Sequence, residues 1–140
     1  MTKTEVSGLE TTIQKTHEWL EDLAEIGGFF GPQQAYTALH AVLHTLRDTL
    51  QINEAVQLAS GLPMLIRGMY FEGWKPAHVP VPARHKQDFL DRVGERLRNA
   101  QIDPEHACRS VFTLLDMKID AGEIEDVRRM LHHTVRPMFD

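Results

Sequence analysis

The chain has 140 residues, 42% hydrophobic and 25% charged, with a net charge of -5 from 15 Lys+Arg against 20 Asp+Glu. That length suits one domain or two small lobes on a shared core, and the apolar content is too high for a disordered chain. The acidic balance, the lack of a long apolar run and the single cysteine, Cys108, argue against nucleic-acid binding, a membrane span and a disulfide framework.

The opening residues Met1-Thr2-Lys3-Thr4-Glu5 lack the apolar segment of a secretory signal. Helical spacing then starts near Ser7 and runs to Ile26, with Leu9, Ile13, Leu20, Leu23 and Ile26 on one stripe beside Trp19. Gly27-Gly28 ends it, and Phe29 and Phe30 are expected to plug a gap in the turn. Pro32 opens the second helix, whose stripe is Ala35, Ala38, Leu39, Val42, Leu43, Leu46 and Leu50. Asn53 is the expected cap of a third helix carrying Ala55, Leu58 and Ala59, which halts near Gly61. After Leu62-Pro63 a short helix carries Leu65, Ile66, Met69 and Tyr70 and ends near Gly73. Pro76, Pro80 and Pro82 make Lys75 to Ala83 a stiff extended connector.

Beyond the connector a helix from about Arg84 to Ala100 presents Phe89, Leu90, Val93 and Leu97. Asp103-Pro104-Glu105 starts the next one, with a cap, a first-turn proline and an acid at the positive end of the helix dipole. It carries Ala107, Val111, Leu114, Leu115 and Ile119, and Gly122 is expected to end it. A last helix from about Glu123 carries Ile124, Val127, Met130 and Leu131.

The two sides of the connector can be laid over each other. Trp19 falls on Phe89, Leu20 on Leu90 and Leu23 on Val93. Pro32 then falls on Pro104, Ala35 on Ala107, Leu39 on Val111, Val42 on Leu114 and Leu43 on Leu115, followed by Ala55 on Val127 and Leu58 on Met130. One such unit buries too little apolar surface to stand alone, whereas two facing copies share a core. This predicts an all-α fold, a compact bundle of about six to eight helices from two diverged copies of a helical unit. The units are residues 1–75 and 84–140, joined by the linker 76–83. The copies differ in that His40, His44 and Arg47 form a polar flank on the left, where the right has Phe112, Asp116 and Ile119 and a wider apolar arc.

Few residues suggest chemistry. His40 and His44 are one helical turn apart, the spacing at which two imidazoles meet one metal ion, with His17, Asp48 or Glu54 as a third ligand. Ala41 stands where a metalloprotease would have its Glu. His132 and His133 are adjacent and point apart on a helix, and His106 reads as surface. Asp116, Asp120 and Glu123 do not follow the order of a calcium loop. Cys108 reads as a small buried hydrophobe, and Arg92, Arg96, Arg98, Arg128 and Arg129 alternate with acids as a solvated surface does. The aromatic group Tyr70, Phe71 and Trp74, with Arg67 at its rim, is the best candidate for a partner-binding surface.

The residues also resemble a family of small bacterial helical proteins catalogued as domain-of-unknown-function family 2267. Its pattern is met by Ala35, Ala38, Val42, Leu43 and Leu46, by Glu54 and Ala55, and by Leu62, Pro63 and Arg67. Gly73, Trp74, Phe89, Leu90, Asp91, Arg92 and Val93 complete it. The resemblance spans about His17 to Phe139 and implies a helical fold with no established activity or cofactor. The second copy has Thr134-Val135 in place of Leu62-Pro63. The expected function is a non-enzymatic protein-interaction or regulatory module, cytoplasmic, with a protein partner or self-association and no cofactor. The alternative is a metal- or small-ligand-binding protein or enzyme using His40 and His44.

Overall fold

The computed structural model describes residues 6–140, Asn99 by its backbone only. The expectation for the first five residues lies outside that range. Among the described residues there are seven α-helices and no strand. They are α1 (Ser7–Gly27), α2 (Gly31–Thr49), α3 (Ile52–Ala59), α4 (Met64–Phe71), α5 (Lys86–Leu97), α6 (Pro104–Lys118) and α7 (Ala121–Met130). Short 3-10 turns occupy Pro76–His78, Arg98–Ala100 and Arg136–Phe139. The all-α reading therefore holds.

Local chemistry sets most of the boundaries. Gly28 ends α1 in the left-handed region, at φ 64°, which a residue without Cβ adopts at little cost. Pro32 and Pro104 sit in first turns, where a missing N–H is no loss. The Asp103 carboxylate accepts from the His106 N–H at 2.9 Å and caps α6. His85 opens α5 with a capping box, in which its ring and the Asp88 carboxylate each take a backbone N–H of the other.

Several expectations are corrected. Gln51, not Asn53, precedes α3, because the buried and extended Leu50 fixes the chain one step earlier. Gly122 does not end α6. That helix stops at Lys118, and the Asp120 carboxylate takes the Gly122 N–H to begin α7. A capping carboxylate outranks a glycine placed two residues later. Leu9 and Ile13 are exposed, so the buried face of α1 is Thr12, Trp19 and Leu23. Phe29 is half-buried, while Phe30 is 92% exposed and fills no gap.

The packing is interleaved. α1 lies on α2 and α6, whereas α5 lies on α6 and α2. α2 also packs on α6, and α3 on α7. α4 leans on α1 and α2, and the 3-10 turn Arg136–Phe139 leans on α6. Side chains from both sides of the connector thus form a single hydrophobic cluster. Leu39, Leu43 and Leu46 of α2 are fully buried there, each contributing about 2 kcal/mol relative to exposure. The wider apolar arc expected for α6 does not make it the more buried helix. α2 also buries His44, Thr45 and Arg47, because α4 and α5 cover its polar flank.

The connector is fastened at its far end, from Val81 to Ala83. The Val81 N–H donates to the Asp48 carbonyl at 2.8 Å, and Arg92 donates to the carbonyls of Val81 and Pro82 at 2.6 and 2.9 Å. Ala83 is buried.

Candidate functional site

The polar flank of α2 is a ladder that runs from surface to core. Tyr36, His40 and His44 are successive turns of one face, with ring centroids 6.1 and 4.0 Å apart. His44 is 8% exposed, and its Nε2 lies 2.7 Å from the Met69 carbonyl oxygen. A carbonyl only accepts, so Nε2 carries the proton. Burial pushes the His44 imidazole down to about 4, against the Met69 bond and with help from the Arg47 charge. Burial also lowers His40, with Glu72 opposing. Both rings are therefore neutral at pH 7.

Arg47, one turn on, is 4% exposed. Its Nη1 donates to the carbonyls of Tyr70 and Glu72 at 2.8 and 3.0 Å. Its Nε and Nη2 donate to the Asp48 carboxylate at 2.8 and 3.2 Å. Arg96 of α5 reaches the same carboxylate at 2.9 Å and the Thr45 hydroxyl at 2.7 Å. His44 and Arg47 together satisfy carbonyls at the end of α4, which a helix C-terminus otherwise leaves bare.

This arrangement bears on the metal candidates. His44 has one nitrogen committed to Met69, Asp48 is shared by two arginines, and His17 is exposed on α1. Among the described residues no group of three or more His, Cys, Asp or Glu is arranged to hold a metal ion. Glu54 instead comes close to Glu123 across α3 and α7. Burial and the Glu54 charge raise the Glu123 carboxyl above its usual range.

The aromatic group is mostly interior. Tyr70 is fully buried, and its hydroxyl donates to the Ala55 carbonyl at 2.8 Å, so it is core and not a contact surface. Phe71 stacks edge-on to Tyr70 at 5.1 Å, and Trp74 tilts against Phe71 at 5.3 Å, both half-buried. Arg67 donates from Nε to the Ala59 carbonyl and from Nη2 to the Leu62 carbonyl, at 3.0 and 2.9 Å. It clasps the end of α3, which occupies two of its donors and makes it more than a rim charge. Arg136 does the same after α7, bonding to the carbonyls of Leu131 and Arg129 at 2.9 and 3.1 Å.

The remaining candidates fall into place. Burial, reinforced by Glu105 and Asp103, pushes the Cys108 thiol up to about 12, so it is no thiolate at neutral pH. The exposed His106 ring donates from Nε2 to the Gly27 carbonyl at 2.6 Å and ties α6 to the end of α1. His132 and His133 do not point apart. They lie beyond α7, where the chain is no longer helical, with ring centroids 4.2 Å apart.

Two features escaped the sequence reading. The first is a cleft of about 510 Å³ between α2, α5 and the connector, lined by His40, Asp48, Val81, Arg92, Glu95, Arg96 and Arg98. The spacing of Arg92 and Arg96 was the available signal, but which helix they would face was not. The second is an apolar end. Val6, Leu9 and Ile13 at the start of α1 and Met64 and Leu65 at the start of α4 are all exposed. The Leu65 N–H donates to the Thr12 hydroxyl at 3.3 Å and holds these two helix starts together.

The family profile described as "Uncharacterized conserved protein (DUF2267)" matches residues 16–138. No curated protein matches the chain.

Proposed function

The chain belongs to the uncharacterised conserved protein family DUF2267, and from that premise we propose that it is a non-enzymatic interaction module, binding a protein partner or a second copy of itself. The observation that carries this is the apolar end formed by Val6, Leu9, Ile13, Met64 and Leu65. Leu9 and Ile13 are a helical turn apart, the spacing used when one helix docks its apolar stripe against another surface. Several exposed apolar side chains at two adjoining helix starts mark a contact site more often than singly scattered ones do.

The same proposal takes the chain as two diverged copies of one helical unit. Its support is the interleaved packing of α1 on α6 and α5 on α2, with α2 on α6 and α3 on α7. A further support is burial at one constant offset. Leu58 pairs with Val127, Leu62 with Leu131, Ile66 with Val135, Met69 with Met138 and Tyr70 with Phe139, all buried. Arg67 and Arg136 make their clasps at that offset too. This register replaces the pairing of Leu58 with Met130, which is exposed. It also sets Leu131-His132 against Leu62-Pro63. A cytoplasmic location in a bacterium belongs to the proposal as well, supported by the lone, free and buried thiol of Cys108.

The test joins light scattering over a concentration series with affinity capture, on the parent chain and on the Leu9→Glu/Leu65→Glu variant. The expected result is self-association or a captured protein that the variant loses. If both chains stay monomeric and recover the same proteins, the proposal fails.

A further inference from the structure

We propose that the cleft between α2, α5 and the connector binds a small multivalent oxyanion, a phosphate ester or a polycarboxylate, through Arg92, Arg96 and Arg98. This goes beyond the interaction reading and does not depend on it.

Charge is the first argument. Three guanidinium groups line the cleft against two carboxylates, Asp48 and Glu95. Asp48 is already shared between Arg96 and the buried Arg47. Arg92 spends its bonds on the neutral carbonyls of Val81 and Pro82, and Arg98 bonds to the Glu95 carbonyl rather than its carboxylate. Positive charge is therefore left over in a concave site, on a chain whose net charge is -5. A concave site with surplus positive charge concentrates anions.

Donor supply is the second argument. The two terminal nitrogens of Arg98 and the Nε of Arg96 have no hydrogen-bond partner among the described residues. A planar guanidinium matches two oxygens of a phosphate or carboxylate at once. Arg92 and Arg96 are already held in place, by the connector and by Asp48 with Thr45, so little side-chain freedom remains to be lost on binding. His40 makes no hydrogen bond to a described residue and faces the same space, and Val81 supplies an apolar wall. A volume of about 510 Å³ is that of a small-molecule site.

The probes are inorganic pyrophosphate and citrate, titrated calorimetrically into the full chain at low ionic strength. Saturable binding of at least one is expected, and the stronger of the two tells phosphate from carboxylate. Arg98→Gln should weaken it about tenfold, the loss of one charge-assisted contact. Arg129→Gln, an equal charge change on exposed α7, should leave it unaltered. Because a variant can also lose structure, the nitrogen and carbon resonances of the His40 ring are followed on the parent chain, where the binding probe should shift them. No saturable binding of either probe, an Arg129→Gln loss equal to that of Arg98→Gln, or an unmoved His40 would each overturn the proposal.

Discussion

His44 sits in the wall between α2 and α4, and acid is where its burial becomes measurable. The unfolded chain takes a proton on this ring near pH 6.5, the folded chain only near 4. Between these values the unfolded state holds more protons, so stability falls as the pH falls. The contribution of the site is complete above about pH 6.5, is lost progressively towards pH 4, and changes no further below that. The loss is on the order of 3 kcal/mol at most. His40 shifts in the same direction and adds to it. Urea unfolding at pH 7.5 and pH 5 should show the drop in the parent chain and a smaller one in His44→Gln. Equal drops would remove His44 as the cause. The sequence shows His40 and His44 one turn apart. It does not show that one of them meets a backbone carbonyl, because Met69 arrives from another helix.

Short helices end in bare carbonyls, and here arginines cover them. α3 has eight residues and α7 has ten, too few to be stable without tertiary support. Arg67 and Arg136 each hold two carbonyls at those ends. Arg67→Ala should cost about 1–2 kcal/mol, and Arg67→Lys nearly as much, because a lysine ammonium lacks the fork that spans two carbonyls. Thermal melts of Arg67→Ala, Arg67→Lys and Arg136→Ala measure this. An unchanged midpoint in all three would show that the clasps carry no stability. The starts of elements were largely legible in the sequence. Pro32, Asp103 and Pro104 act within one turn, so their meaning is local. Gly122 was misread because a glycine reads as a stop, while Asp120 just before it makes a start. Leu9 and Ile13 were misread because a stripe says which side of a helix is apolar, not whether anything covers it.

At the scale of the whole molecule, neither side of the connector keeps its apolar surface to itself. α1 packs across the connector on α6 as well as on its neighbour α2, and α5 packs across it on α2 as well as on α6, where Phe89 meets Phe112. Residues 1–75 and 84–140, made separately, should each lack a cooperative thermal transition. Mixed in equal amounts they should recover helical circular dichroism. A sigmoidal melt of either piece at the midpoint of the full chain would contradict the interleaved core. This pairing of helices was the least legible part of the chain, since no local pattern names the helix opposite. The same holds for the cleft, where Arg96 meets Thr45 and Asp48 only because α5 crosses α2.

The placing of α1 against α6 also has a consequence during synthesis. A ribosome finishes α1 at Gly27 long before it finishes α6 at Lys118. At ordinary elongation rates the wait is roughly 5–20 s. Throughout it, α1 has α2 and α4 to pack on but not α6. A nascent chain stalled before Pro104 thus leaves in water the part of α1 that α6 covers, the kind of transient apolar surface for which chaperones exist.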